Sequence, residues 1–397
     1  MKVALIHDWL TGMRGGERAL LAFCELFPDA DLYTLVQVPG ATDPIIERRR
    51  VRTSLIQSLP FPGQLYRHYL PLFPIAIEQF DLDGYDLVLS TSHCVAKSVV
   101  VPGRTRHVCY CLTPMRYAWD QFDAYFGPAR VGAITTAVMR PIMAAMARWD
   151  RATEGRVHRY LAISQYVARR IALYYNRQST IVFPPVDTTF YTPAPGEGDT
   201  IAAPSEQGQP ARVEGPALSE RQQLARVEGF LVVSALVPYK RVELAIDAAR
   251  LARVPLTIVG DGPERPRLEA LADHHITFLG WRSNEEIRTL YRSAIATILP
   301  GEEDFGIVPV ESQACGRPVV ALGRGGVLDT VIDGETGVLV QDDTAASLAE
   351  GLQHAATRSW DGRRIRQHAE RFSRDRFSRE IMTIVDDVMA APPGHRC

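Results

Sequence analysis

Two glutamates eight residues apart, Glu303 and Glu311, and a lysine at 240 carry the strongest chemical signal in the chain. Glu303 lies in PGEEDFG, directly after the apolar run IATIL, and Glu311 follows Pro309 in a stretch that reads as a helix. The apolar, partly β-branched run reads as a buried strand, and Pro309 suits a first helical turn, where its missing N–H costs nothing. A strand that enters a helix through a short glycine loop leaves free N–H groups, which together with the helix dipole form an anion site. Helical side chains lean toward the N-terminus, so Glu311 is expected to point back at whatever Glu303 faces, and the two carboxylates to flank a bound phosphate. Acids at a helix start also serve simply to complement the dipole, at about 0.3–1 kcal/mol; that accounts for one acid but not for two around FGIV.

Lys240 and Arg241 stand at the start of a second helical pattern, VELAIDAARL, after the strand LVVSAL. Cations there oppose the dipole unless an anion is held between them. Two further strand–glycine–helix junctions repeat the theme. VALIHDW leads through Thr11–Gly16 into ALLAFCELF, and a strand at 255–260 leads through Gly260-Asp261-Gly262. Gly15 and Gly16 would let a ligand approach the backbone, although a plain tight turn needs them as well. Neither junction has the G-x-G-x-x-G dinucleotide pattern. Strands at DLVLS, HVCYC and YLAIS, with Ser164 placed to cap QYVARRI and Ser283 to cap EEIRTLYRSA, complete a regular strand–helix alternation. The alternation predicts an α/β protein with parallel sheets.

With 397 residues, 46% hydrophobic and 23% charged, the chain is long enough for two soluble domains. A net charge of −2 argues against a nucleic-acid partner. There is no cleavable leader pattern at Met1-Lys2 and no apolar run of about 18 residues, so a cytoplasmic protein is expected. The six cysteines are scattered; C-x-C at Cys109 and Cys111 lacks the companions of a zinc site and reads as buried thiols, so no structural zinc is expected, and with Lys240 and a helix dipole to meet a phosphate no other metal or cofactor is expected. Residues 192–229 break the pattern: rich in Pro, Gly, Ala, Glu and Gln, with ARVEG at 211–215 and 225–229, they read as a flexible loop enlarged by duplication. Apolar stretches with basic points at 59–83 and 139–149 read first as packed core, and second as an amphipathic surface for peripheral contact with the inner face of the plasma membrane.

GEEDFGIVPVE resembles the E-x7-E signature of retaining glycosyltransferases of family four, whose fold is GT-B: two Rossmann-like, doubly wound domains facing a cleft. Together with VPYKR and TPMRYAW (113–119), it looks most similar to bacterial GDP-mannose-dependent mannosyltransferases of surface polysaccharide synthesis. The resemblance implies an acceptor-side domain at 1–185, a nucleotide-sugar domain at 186–371 and a C-terminal helix, 372–397, returning to the first. It assigns Glu303 to the sugar hydroxyls and Glu311 to the ribose, with the backbone of Asp304, Phe305, Gly306, Ile307 and Val308 and the Lys240 ammonium on the leaving pyrophosphate. Gly15, Gly16, Arg241, Gly260 and Gly262 belong to the donor side, and Trp281 and Arg282 to the base. His7, Asp8, Arg14, Arg116 and Tyr117 fall on the acceptor side.

Two positions depart from the family. Leu112 stands where many relatives have a histidine, so that either His7, His93 or His107 supplies that contact or sugar recognition differs, and Ala235 stands where they have an arginine, for which Arg241 or Arg14 could compensate. The reading is therefore a hexosyltransferase, mannose from GDP-mannose first, acting on a glycan or lipid-linked glycan. UDP-glucose or another nucleotide sugar, a GT-B epimerase or phosphorylase, and a catalytically silent nucleotide-sugar-binding partner are the alternatives.

Overall fold

The computed structural model describes residues 1–194, 200–201, 227 and 229–392. The chain divides into two compact units, Met1–Pro185 with Arg374–Cys397, and Val186–Ser373.

The first unit is built on seven strands, β1 (Val3–His7), β2 (Asp31–Thr34), β3 (Val51–Thr53), β4 (Leu87–Ser92), β5 (Arg106–Cys111), β6 (Arg159–Ala162) and β7 (Thr180–Ile181). They pair in the order β3-β2-β1-β4-β5-β6-β7, all parallel. Every residue of β1, β4 and β5 is buried, as expected of central strands covered on both faces. The helix Gly15–Leu26 follows β1, and the strand order reverses between β1 and β4. The C-terminal helix Arg374–Ala390 packs on this unit, with the Phe377 ring 5.4 Å from that of Phe23 and 5.6 Å from that of Tyr110.

The second unit repeats the plan. Strands β9 (Phe230–Val233), β10 (Leu256–Val259), β11 (Ile276–Gly280), β12 (Thr297–Leu299), β13 (Val319–Leu322) and β14 (Gly337–Val340) pair in parallel in the order β11-β10-β9-β12-β13-β14. Here the reversal falls between β9 and β12. In open α/β sheets that reversal splays the loops apart at the carboxyl ends of the strands and opens a crevice for ligands. The core beneath joins Phe230, Ile258, Ile298 and Val320 of the sheet to Ile246 and Leu352 of the covering helices.

Both sheets have the doubly wound topology that the strand–helix alternation implies. Ser164 and Ser283 cap their helices as read, accepting from Val167 N at 3.0 Å and Glu286 N at 3.3 Å. The repeated ARVEG segments lie outside the described residues, save Val227 and Gly229. Within the span read as a loop, the backbone of Thr200–Ile201 (β8) pairs antiparallel with Trp360–Asp361 (β15), so 192–229 is not irregular throughout.

Candidate active site

In the second unit, four loops leave the carboxyl edge of the sheet and close on one another through glycines. The loop after β12 carries Glu302, Glu303 and Asp304, and the backbone of Glu303 bridges that of Gly325 in the loop after β13, with Gly326 N donating to Glu303 O at 2.7 Å. A Cβ at Gly326 would collide with the Asp304 carbonyl, and one at Gly301 would stand 2.9 Å from the Tyr239 carbonyl in the loop after β9. Gly260 and Gly262, after β10, come equally close to the carbonyls of Ser234 and Leu236, while Leu236 N donates to Asp261 O at 2.9 Å. Backbone-to-backbone packing of this kind admits no side chain, and this is what the glycines are for.

That packing sets Lys240 against Glu303. The Lys240 ammonium lies 2.5 Å from Glu303 Oε1, with the two side chains 19% and 21% exposed. Gly306, at φ +89°, turns the chain into the helix Ile307–Ala314. Of the residues there, Ile307 and Val308 are half-buried, Asp304 and Phe305 buried. Phe305 spends its ring on Phe372, 5.6 Å away.

One expectation changes on contact with this geometry. Glu311 is 3% exposed, and Tyr291 Oη donates to its Oε2 at 2.9 Å. The two glutamates therefore sit at different depths and do not flank one open position as expected; at the second helical turn, Glu311 meets the buried Tyr291 of the helix Asn284–Ser293 instead. Arg241, read as compensating for an arginine at 235, has its guanidinium 2.8 Å from Asp343 and 3.8 Å from Glu243. Trp281 and Arg282 follow β11 at the same sheet edge; the Trp281 ring is 74% exposed, and Arg282 lies 3.8 Å from Glu286.

In the first unit, the carboxyl ends of β1, β4 and β5 bring His7, Asp8, His93 and Leu112 together at the reversal. Asp8 is fully buried, and its two oxygens accept from four backbone N–H groups, those of His93, Cys94, Val95 and Ala96, at 2.7–2.9 Å. It is an anchor for the 93–96 loop and not an acceptor contact. His7 is also fully buried, its Nδ1 2.6 Å from Thr91 Oγ1 and its Nε2 3.8 Å from Glu17. Burial alone would raise the Glu17 carboxyl, but His7 outweighs it and holds the group below the usual range.

A Cβ on Gly16 would stand 2.9 Å from Leu112 Cδ1 and 3.5 Å from His7 Cε1. The group that approaches Gly16 closely is thus the leucine in the family histidine's place. Gly15 is exposed at the helix start, and Arg14 N donates to Glu17 at 3.0 Å. His107 is excluded as a substitute for that histidine. It is fully buried between Ser90 Oγ (2.8 Å) and the Arg156 carbonyl (3.1 Å), and burial pushes its pKa down to about 3. His93 alone of the three has an accessible side chain, 26% exposed, with Nδ1 3.1 Å from Asp8. Burial outweighs that carboxylate and keeps His93 below the ordinary imidazole range. Arg116 and Tyr117 are half-buried; the Tyr117 hydroxyl is 2.7 Å from Cys94 Sγ and its ring packs on Tyr125, so it acts chiefly as core.

Tyr291 and Glu17 are absent from the sequence-based site. A buried tyrosine needs an acceptor, but nothing in the spacing names Glu311 as that acceptor, and Glu17 reads only as a first-turn acid.

Residues 220–372, nearly all of the second unit, match the family model described as glycosyl transferases group 1. Over these residues the second unit is similar to group 1 glycosyl transferases. Curated proteins of similar sequence bear glycosyltransferase names. The D-inositol 3-phosphate glycosyltransferase of Salinispora tropica is 30% identical over 236 residues, 53% of this chain and 46% of that protein. An uncharacterized glycosyltransferase of Methanocaldococcus jannaschii is 31% identical over 167 residues, 40% of this chain and 48% of that one. The chain thus spans about half the length of the curated relatives it matches, and neither name specifies mannose. Anabaena Alr3699/HepE, solved with UDP, superposes with a TM-score of 0.69 over 98% of this chain and 100% of its own at 19% identity. Sucrose-phosphate synthase from Thermosynechococcus elongatus does so at 0.67 over 99% and 100%, with 18% identity. The fold that these superpositions show is GT-B.

Proposed function

We propose that the protein is a retaining glycosyltransferase that moves a hexose from a nucleotide-diphospho-sugar to a glycan or lipid-linked glycan. The observation that carries the reading is the Lys240–Glu303 pair at the strand-order reversal of the second unit, held by glycine loops. A cation neutralised by a neighbouring carboxylate can exchange that partner for a pyrophosphate. Lys240 then takes the leaving phosphate together with the N–H groups at the start of the Ile307–Ala314 helix, and Glu303 turns to the sugar hydroxyls. Glu311 is assigned to the ribose on the family resemblance.

In the step proposed, the bond from the anomeric carbon to the phosphate oxygen breaks and its electron pair stays on the phosphate. The acceptor oxygen bonds to the same face of that carbon, and its proton passes to the departing phosphate oxygen. Charge grows on the leaving group, so preorganised donors aimed at it lower the barrier. Lys240 and the helix start supply them, and the reaction is proposed to need no metal or other cofactor. Glycoside hydrolysis, which uses two carboxylates about 5–9.5 Å apart, fits less well, since a hydrolase has no pyrophosphate for Lys240 and the helix start to hold.

GDP-mannose is the proposed donor on the strength of VPYKR, TPMRYAW and GEEDFGIVPVE. A UDP-hexose is the second reading, favoured by the UDP and UDP-glucose of the Anabaena structures. Thermal-shift titration tests both, because a ligand that binds only the folded state stabilises it by about 2.7 kcal/mol at a hundred times its Kd. A shift with GDP-mannose that persists in EDTA supports the first reading, and one with UDP-glucose alone moves the donor to UDP. Donor binding without transfer to any glycan, lipid-linked or inositol phosphate acceptor would leave a silent binding partner. A flat response to nucleotide sugars and to free GDP and UDP would overturn the proposal.

A further inference from the structure

We propose that the outward face of the helix Ala133–Ala152 seats the protein on an anionic lipid bilayer. The inference stands on the first unit alone and does not depend on the donor site.

The helix has two faces of opposite use. Thr136, Met143, Met146 and Asp150 are buried, with Met143 and Met146 in the core of the unit. At helical spacing on the other side, Ile134, Ala137, Val138, Pro141 and Ala145 are all exposed. Ile134 is 83% and Val138 56% exposed. A shallow groove lined by Pro128, Ala133, Ala137, Pro141 and Ala144, with Thr136 and Arg140 as its polar members, runs along this side of the helix. A helix that faces water is expected to carry polar residues there, not a run of alanine, valine and isoleucine.

Charge identifies the occupant. The only acid on this helix, Asp150, is buried and spends its carboxylate on Lys97 at 2.9 Å. The exposed charges on the helix are Arg140, Arg148 and Arg151. Arg140 has Asp123 at 3.5 Å, while Arg148 and Arg151 have no carboxylate partner among the described residues. An apolar stripe on a helix whose exposed charges are all arginines matches the acyl boundary and the phosphates of an anionic leaflet, whereas the protein as a whole, at −2, would be weakly repelled. No described helix is long and apolar enough to cross a membrane, so this one lies in the interface plane. Its 20 residues give a footprint about 30 Å long.

The test is co-sedimentation of the full chain with phosphatidylcholine vesicles and with equimolar phosphatidylcholine–phosphatidylglycerol vesicles. Binding is expected to the anionic vesicles and to weaken with salt. It should be lost in Ile134→Ser/Val138→Ser, and reduced roughly five-fold for each of Arg148→Gln and Arg151→Gln, about 1 kcal/mol per arginine. All four positions are exposed, and circular dichroism with the donor thermal shift checks that each variant is folded. Failure of the wild type to sediment with anionic vesicles at low salt overturns the proposal, as does equal binding to neutral vesicles or wild-type binding by the Ile134/Val138 double variant. Capture of a protein without vesicle binding would assign the face to a protein instead.

Discussion

The ammonium of Lys240 stands 2.5 Å from the carboxylate of Glu303, and the two residues reach each other from loops that leave neighbouring parallel strands at the reversal of strand order. Each side chain is about one-fifth exposed, so the pair is neither sealed in the core nor a loose surface contact.

The pair separates binding from turnover. Glu303→Ala should abolish transfer, by roughly 10²-fold or more in kcat, while GDP affinity stays near the wild-type value. Lys240→Ala should lower both transfer and nucleotide affinity, since it removes the charge that meets the pyrophosphate in ground and transition states. Steady-state kinetics with calorimetry for the nucleotide checks this. A Glu303→Ala enzyme that transfers at the wild-type rate would sink the site assignment.

The glycines offer a steric contrast that needs no knowledge of the substrate. A Cβ on Gly16 meets the far end of the flexible Leu112 side chain at 2.9 Å, and that side chain can move aside. A Cβ on Gly326 meets the backbone of Asp304 and Phe305, which cannot move without dismantling the loop that carries Glu303. Gly326→Ala is expected to cost about 1–3 kcal/mol or more and to remove donor binding, and Gly16→Ala to cost less than about 1 kcal/mol. Urea melts of the two variants side by side decide it; equal losses would contradict the geometry.

The doubly wound sheets were legible in the sequence because central parallel strands are buried on both faces and read as apolar runs, as in VALI and the LVL of DLVLS. The helix starts at Gln165 and Asn284 were legible because their capping serines are local. What escaped depends on contacts distant in sequence. Asp8 reads as a polar residue at the end of a strand, but the four N–H groups that occupy it come from residues 93–96. Glu311 has the same signature whether open or sealed, and only the position of Tyr291 distinguishes the two. Lys240 and Glu303, 63 residues apart, could be linked beforehand only through the resemblance.

His107 makes stability depend on pH with a definite sign. Burial lowers its pKa from 6.5 to about 3 in the folded state, so between those values the unfolded chain binds a proton that the folded one does not. Stability from this group is complete above about pH 6.5 and is lost as the pH falls toward 3, with a limiting slope of about 1.4 kcal/mol per pH unit. His93 and His368 are also lowered by burial and act in the same direction. Comparison of wild type with His107→Gln isolates the one residue: the variant should show a shallower decline between pH 6.5 and 4.5 in denaturant titrations. Parallel curves would refute the assignment.

Lys97 and Asp150 make a buried ion pair whose remaining valences are filled. Lys97 is 1% and Asp150 0% exposed. Beyond the 2.9 Å contact with Asp150 Oδ1, the ammonium donates to the Asp150 carbonyl (2.7 Å) and Thr153 Oγ1 (3.1 Å), and it lies 4.5 Å from the centre of the Tyr175 ring. Asp150 Oδ2 accepts from Trp119 Nε1 at 2.8 Å and Tyr175 Oη at 2.9 Å. The network thus pins Trp119 of the TPMRYAW segment to the inner face of the Ala133–Ala152 helix. Removing one charge strands the other, so Lys97→Met should cost about 3–5 kcal/mol. Lys97→Met/Asp150→Leu should be markedly less destabilised than the sum of the two single variants, because no buried charge remains, although Trp119 and Tyr175 then lack their acceptor. A double-mutant cycle by urea denaturation measures this coupling. Additive losses would mean that the two charges do not depend on each other in the folded protein.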